Sequence, residues 1–232
     1  MLSMVTQWQW AACGKHPAAM DYIRVGNQFP LGTSLFSWVE QGYSKLKHDK
    51  LERYPVTWRF WINGAVHDRL ACGILLESCD AIGRPYPLLL MGSGTSRKWK
   101  ECWENLPIAC EAVWNGAESL FTAELTTVPE LITGLGKLTS PVDILLDDTL
   151  PPILPLKSLN GDMDSEFCLF SLETDNGSRI EVAAAMRLSL LLKNRNATPP
   201  VAVFIGGGKN AHMAVMRRPL KPLDFEALWS LQ

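Results

Sequence analysis

An α/β protein of the α+β kind, built on an antiparallel sheet, is the fold class that this sequence predicts. Two apolar runs, Ile74-Leu75-Leu76 and Leu88-Leu89-Leu90-Met91, are joined by a short polar link. A second pair, 201–205 and 212–217, is joined by Gly206-Gly207-Gly208-Lys209-Asn210. Strands linked by hairpins pair antiparallel. Between the two pairs lies a helical middle, not the regular strand–helix alternation of a doubly wound sheet.

The elements follow in order. Residues 7–13 suit a first strand, with Trp8 and Trp10 two apart and so on one side. A Gly- and Pro-rich loop spans 14–32. Thr33 or Ser34 then caps a helix whose apolar positions, Leu35, Phe36, Val39, Tyr43 and Leu46, follow the 3.6-residue period. Pro55 closes the next loop. Residues 56–62 form a strand with Trp58, Phe60 and Ile62 on one face, Asn63-Gly64 turns the chain, and 70–77 leads into the first hairpin. Its link places Asp80 first and Gly83 fourth, the preferred pattern of a type I turn, with Asp80 and Arg84 close enough in the chain to pair.

Residues 97–138 are helical, in short pieces expected to break at Pro107, Gly116 and Pro129. The stretch 140–164 holds four prolines and five aspartates and is the linker candidate or a long surface crossing. It divides an N-terminal region, 1–139, from a C-terminal α/β region, 165–232, expected to pack on the first. That second region reads as a strand at 167–172 and then a helix–hairpin–helix extension. The extension comprises a helix at 179–192, the glycine-rich hairpin, and a last helix at 224–231 capped by Asp224.

Composition narrows the function. The chain has 232 residues, 47% hydrophobic and 20% charged, with a formal charge of −2. That suits a globular protein with a sizeable core and gives no basic footprint for nucleic acid. No apolar run reaches the roughly 18 residues that span a bilayer, and the N-terminus lacks the pattern of a secretion signal. A cytoplasmic protein is expected, without membrane insertion and without a nucleic-acid partner. The six cysteines and four histidines are dispersed. They predict reduced thiols and no metal site.

Several segments invite chemistry and are weighed against it. Gly206-Gly207-Gly208-Lys209 follows an apolar strand, but Val203 stands where a phosphate loop needs its first Gly and Asn210 where it needs Ser or Thr. A hairpin turn is the reading. Gly134-Leu135-Gly136-Lys137 fails the same pattern. Met91-Gly92-Ser93-Gly94 lacks the full nucleophile-elbow spacing and reads as a flexible strand-to-helix loop. Cys79 reads as a buried structural thiol. Trp99 and Trp103, four apart, read as one core-facing helix stripe. Lys15, Asp21, Asp80 and Arg84 lie in loops bracketed by Gly or Pro, where they are either ion-paired turn residues or a shared polar interaction site. No complete catalytic constellation, cofactor site or metal site is expected.

The ordered set Gly14-Lys15-x-Pro17, Asp21, Trp58-Arg59-Phe60 and Ser78-x-Asp80-x-x-Gly83-Arg84-x-x-Pro87-Leu88 resembles the TagF family, also known as ImpM, accessory proteins of type VI secretion. Met20 stands where the family has a second Gly, Tyr22 where it has Phe, and Ala81 where a basic residue is common. The matching words fall within residues 10–92. The resemblance implies a longin-like antiparallel sheet flanked by helices. It also implies a non-enzymatic cytoplasmic regulator, generally repressing, that acts posttranslationally by binding a protein of the apparatus, the forkhead-associated scaffold Fha. It makes Gly14, Lys15, Pro17, Asp21, Asp80, Gly83 and Arg84 the candidate interaction or structural motif. Two other classes stay open: a small-molecule or nucleotide-dependent enzyme using the Gly-rich loops, and a structural subunit of the apparatus.

Overall fold

The computed structural model of the protein describes residues 8–46, 55–64, 66, 68–96, 98–142, 165–172 and 178–231. The strands are β1 (Gln9–Gly14), β2 (Ile23–Gly26), β3 (Thr57–Asn63), β4 (Arg69–Leu76), β5 (Leu88–Thr95), β6 (Phe167–Ser171), β7 (Ala202–Gly207) and β8 (His212–Met216). They form one eight-stranded sheet of order β2-β1-β5-β4-β3-β7-β8-β6. Every neighbouring pair is antiparallel. The β3–β7 pairing (Thr57↔Gly207 to Ile62↔Ala202) carries the hydrogen-bond ladder from strands before the 140–164 segment into strands after it.

Helices cover both faces. On one side lie α1 (Pro30–Tyr43) and α6 (Pro222–Trp229). On the other lie α2 (Leu106–Ala109), α3 (Glu111–Thr122), α4 (Val128–Leu135) and α5 (Ser178–Arg195). The two-residue period of β3 sorts its side chains between the two cores. Trp58, Phe60 and Ile62 pack with α1 and α6 beside Phe204 and Phe225, as the alternation in the sequence requires. Trp61 points the other way, into the core that also holds Trp99, Trp103 and Trp114. Full burial of side chains of this kind contributes about 1.5–3 kcal/mol each, so the aromatic layers anchor the sheet between its helices.

Several local expectations change. α1 begins at Pro30 with Phe29 at the N-cap and no side-chain cap, so Thr33 and Ser34 lie inside the helix. Pro107 and Pro129 do mark boundaries between short helical pieces, each lying in the first turn of a new helix, α2 and α4. A first-turn proline lacks only an N–H that no intrahelical acceptor would meet. Gly116 lies within α3, where an added Cβ would meet Leu138 Cδ2 at 3.3 Å. Trp99 and Trp103 are both fully buried, but they sit in two separate 3-10 turns, not along one helical stripe. Met91-Gly92-Ser93-Gly94 is no loop. It belongs to β5, with Ser93 Oγ donating to the Leu70 carbonyl at 3.2 Å and the absent side chain of Gly92 replaced by the Trp10 ring. Asp224 is the third residue of α6, not its cap. It accepts the Lys221 N–H at 2.7 Å and clasps Arg218 through both oxygens at 2.7 and 2.8 Å. Of the linker candidate, residues 143–164 lie outside the described residues.

Candidate functional site

At one end of the sheet the loop leaving β1, residues 15–22, meets the link between β4 and β5, residues 77–87. Gly14 ends β1 at φ 131°, pairing with Leu88, and an added Cβ there would stand 2.0 Å from the Pro87 carbonyl oxygen. Only glycine permits that approach. Pro17 then occupies the second position of a turn closed by the Ala19 N–H on the His16 carbonyl, 2.9 Å. His16 is buried beneath this turn, its Nδ1 accepting the Ala18 N–H at 3.0 Å, and burial lowers its pKa.

The facing link makes the expected turn, with the Gly83 N–H donating to the Asp80 carbonyl at 2.9 Å. Gly83 itself takes the left-handed φ of 81° that the return path requires. A one-residue bridge, Cys79↔Pro85, closes the link above the main hairpin.

Asp80 ties the two loops together, and its side chain is fully buried. One oxygen accepts the backbone N–H groups of Ile82 (3.2 Å) and Arg84 (2.9 Å). The other accepts Arg84 Nε at 2.6 Å and lies 3.0 Å from Lys15 Nζ. Burial would raise the carboxyl's pKa. The Arg84 backbone N–H and the Lys15 and Arg84 side chains outweigh burial and hold it well below the usual carboxylate range. Arg84 reaches onward, with Nη2 donating to the Met20 carbonyl at 2.7 Å and lying 3.5 Å from Asp21. The Ala81 N–H adds a backbone bond to the Ala19 carbonyl at 2.8 Å.

Lys15, Asp21, Asp80 and Arg84, scattered in sequence, therefore form one connected cluster. A carboxylate with both oxygens engaged, held ionised and shielded from solvent, suits neither general acid nor general base work. Its chemistry is structural: it fixes the relative position of two loops. Met20, whose carbonyl takes part, is not among the described residues of positive φ, so a non-glycine residue stands here without backbone strain.

The loops so fixed display apolar groups. Met20 is 66% exposed, Ile82 60% and Tyr22 44%. Tyr22, Tyr86 and Tyr43 continue in edge-to-face contacts of 5.5 and 4.8 Å between ring centroids, and the Tyr43 hydroxyl donates to the Pro85 carbonyl at 3.3 Å. Burial pushes the Tyr86 phenol up to about 12. The Tyr22 hydroxyl meets the Cys13 thiol.

Gly206 and Gly207 end β7, and Gly208 and Lys209 begin the β7–β8 turn. Gly14, Leu88, Leu76, Thr57 and Gly207 are successive cross-strand partners. The two Gly-rich loops thus share one end of the sheet, yet three intervening strands separate them by about 19 Å. They do not converge on a single site.

A charged pair in the matched strand β3 is among those that the sequence did not bring together. Arg59, 8% exposed within β3, is held bidentately by Glu118 of α3, both contacts 2.7 Å, with Asn115 Oδ1 at 3.3 Å. An arginine between Trp58 and Phe60 in a buried strand requires an acceptor, and that was the available signal.

Residues 11–136 match the family model of the TagF N-terminal domain, described as type VI secretion system-associated. The chain belongs to the TagF family. The matched span runs from β1 to the end of α4 and includes the whole loop cluster. PA0076 from Pseudomonas aeruginosa PAO1, known from its crystal structure, is similar in fold to this TagF-family chain. The TM-score is 0.54 at 16% identity, over 94% of this chain and 93% of that one. The likeness extends the shared fold into the C-terminal strands and helices. No match was found among curated proteins. No helix among the described residues is long and apolar enough to cross a membrane.

Proposed function

We propose that this protein is a non-enzymatic, cytoplasmic regulator of a type VI secretion system. It acts after the apparatus is synthesised, by binding a protein partner. Membership of a type VI secretion-associated family supplies the context. The carrying observation is that Lys15 and Arg84 are joined through the buried Asp80 carboxylate, leaving Met20, Tyr22 and Ile82 presented on loops held in one arrangement. Aromatic, Met and Arg side chains on a preorganised support are the usual anchors of protein interfaces. Preorganisation lowers the ordering cost of association.

The partner in this reading is a component of the apparatus, with the forkhead-associated scaffold Fha as the first candidate. The protein represses by favouring an inactive state of that partner, so its effect scales with its differential affinity for that state. The test is release of the secreted tube protein into the medium, scored in deletion and overexpression strains beside immunoblots of lysates. Deletion is expected to raise secretion and excess protein to lower it, with component levels unchanged. Unaltered secretion in both strains rejects regulation, and abolished secretion in the deletion strain favours a structural subunit.

A further inference from the structure

Beside the outermost strand β2 lies a groove of about 560 Å³, lined by Trp8, Trp10, Ile132, Leu135, Leu138 and Gly26 among others. Its volume falls within the range of about 300–1,000 Å³ typical of ligand pockets. The Trp8 and Trp10 rings stack at 6.1 Å to make one wall, and Ile132 of α4 is 46% exposed.

Among the described residues β2 pairs with β1 alone. The Asn27 N–H donates to the Trp10 carbonyl at 2.8 Å, which fixes the phase of that ladder. Antiparallel strands alternate bonded and non-bonded pairs, so Val25 and Ile23 turn their backbone groups toward β1. Arg24 and Gly26 turn theirs to the open side. The Arg24 guanidinium lies over the Phe36 ring of α1, 5.0 Å from its centroid, whereas Ile23 and Val25 pack on the groove's side of the sheet.

Outward N–H and C=O groups on an edge strand, with a groove walled by the Trp8 and Trp10 rings and Ile132 alongside, make the arrangement by which sheets take up an extended peptide: main-chain bonds hold it and the groove selects its side chains. We propose that an extended segment of a protein partner adds to β2 as a further strand, with an acidic side chain opposite Arg24 and a large apolar neighbour in the Trp8–Trp10–Ile132 groove. The alternation follows from the strand period: the residue opposite Arg24 shares its face, and the residues on either side face the groove. This rests on the protein-binding reading above. It adds the form of the bound segment, apolar–acidic–apolar in extended conformation, and a location beyond the loop surface.

The experiment presents the full chain to overlapping synthetic peptides tiling the components of the type VI secretion apparatus of the same organism, followed by polarisation titrations of the bound peptides. Wild type is expected to bind peptides with the apolar–acidic–apolar pattern. Arg24→Pro removes an outward N–H without breaking the β1–β2 ladder and is expected to weaken binding by at least about tenfold. Arg24→Ala keeps binding but loses the preference for the acidic residue. Ile132→Lys, at an exposed position, weakens binding with thermal stability retained, which keeps the test decisive if Arg24→Pro folds poorly. Equal binding by wild type, Arg24→Pro and Ile132→Lys overturns the proposal, as does a wild type that binds no peptide. An Arg24→Pro protein that represses secretion as wild type does leaves regulation standing and removes strand addition.

Discussion

Lys15 Nζ stands 3.0 Å from Oδ2 of Asp80, a carboxylate with no solvent-exposed side-chain surface, and so joins the β1 loop to the β4–β5 link by charge. Arg84 Nε donates to the same oxygen at 2.6 Å. The folded-state pKa of Asp80 is depressed below its unfolded value near 3.9, so its stabilisation is complete above that value. It is lost as pH falls through the folded value. Chemical denaturation from pH 7 down to pH 2 should show stability falling in the acid range, and Asp80→Asn should flatten that limb. The same variant should lower stability at pH 7, because Lys15 and Arg84 lose their shared counter-charge. An acid limb identical in the variant would reject the assignment.

Gly14 and Gly83 both have positive φ, but their surroundings differ. An added Cβ at Gly83 meets nothing within 4 Å, so Gly83→Ala pays only for backbone conformation, about 1–2 kcal/mol. At Gly14 the Cβ would fall 2.0 Å from the Pro87 oxygen, and the β1–β5 pairing must open to admit it. Gly14→Ala should therefore cost clearly more than Gly83→Ala, and Gly83→Asn less than Gly83→Ala. Urea midpoints of the three variants decide the order, and equal costs at the two sites would contradict the described approach of Gly14 to Pro87.

Glu118 and Arg59 make an asymmetric pair in the same sense. Glu118→Ala leaves a buried guanidinium without its bidentate acceptor and should cost about 2–3 kcal/mol. Arg59→Met removes charge and keeps the stem, and should fall within about 1 kcal/mol of wild type. Thermal unfolding of both singles and the double variant measures the coupling, and a double no better than Glu118→Ala alone would reject the explanation.

The sequence carries the hairpins, the two-faced strand β3 and the absence of a βαβ order, because these rest on short-range periodicity and turn chemistry. It misleads wherever a residue's role depends on what faces it. Gly116 looks like a helix break but lies inside α3, and Gly92 and Gly94 look like a loop until the Trp10 and Trp8 rings occupy the space beside them. The cluster shows the same division. Asp80 and Arg84 are neighbours in the chain and could be paired from it. Lys15 reaches Asp80 only because β1 and β5 align Gly14 with Leu88, a register that no local pattern contains.

Buried and accessible roles at the loop surface can be separated by substitution. Met20 and Ile82 are mostly exposed and take no side-chain part in the Asp80 cluster, so the double variant Met20→Glu, Ile82→Glu should leave the thermal midpoint unchanged. If these side chains anchor the partner, the same variant should weaken binding by about tenfold or more and release secretion from repression. Asp80→Asn should instead lower both stability and repression, because it loosens the support beneath the surface. Measuring the midpoint, binding to the purified scaffold and secretion for each variant distinguishes the two effects. Full repression by the Met20→Glu, Ile82→Glu protein would place the partner elsewhere on the molecule, and the loop cluster would then be a structural tie alone.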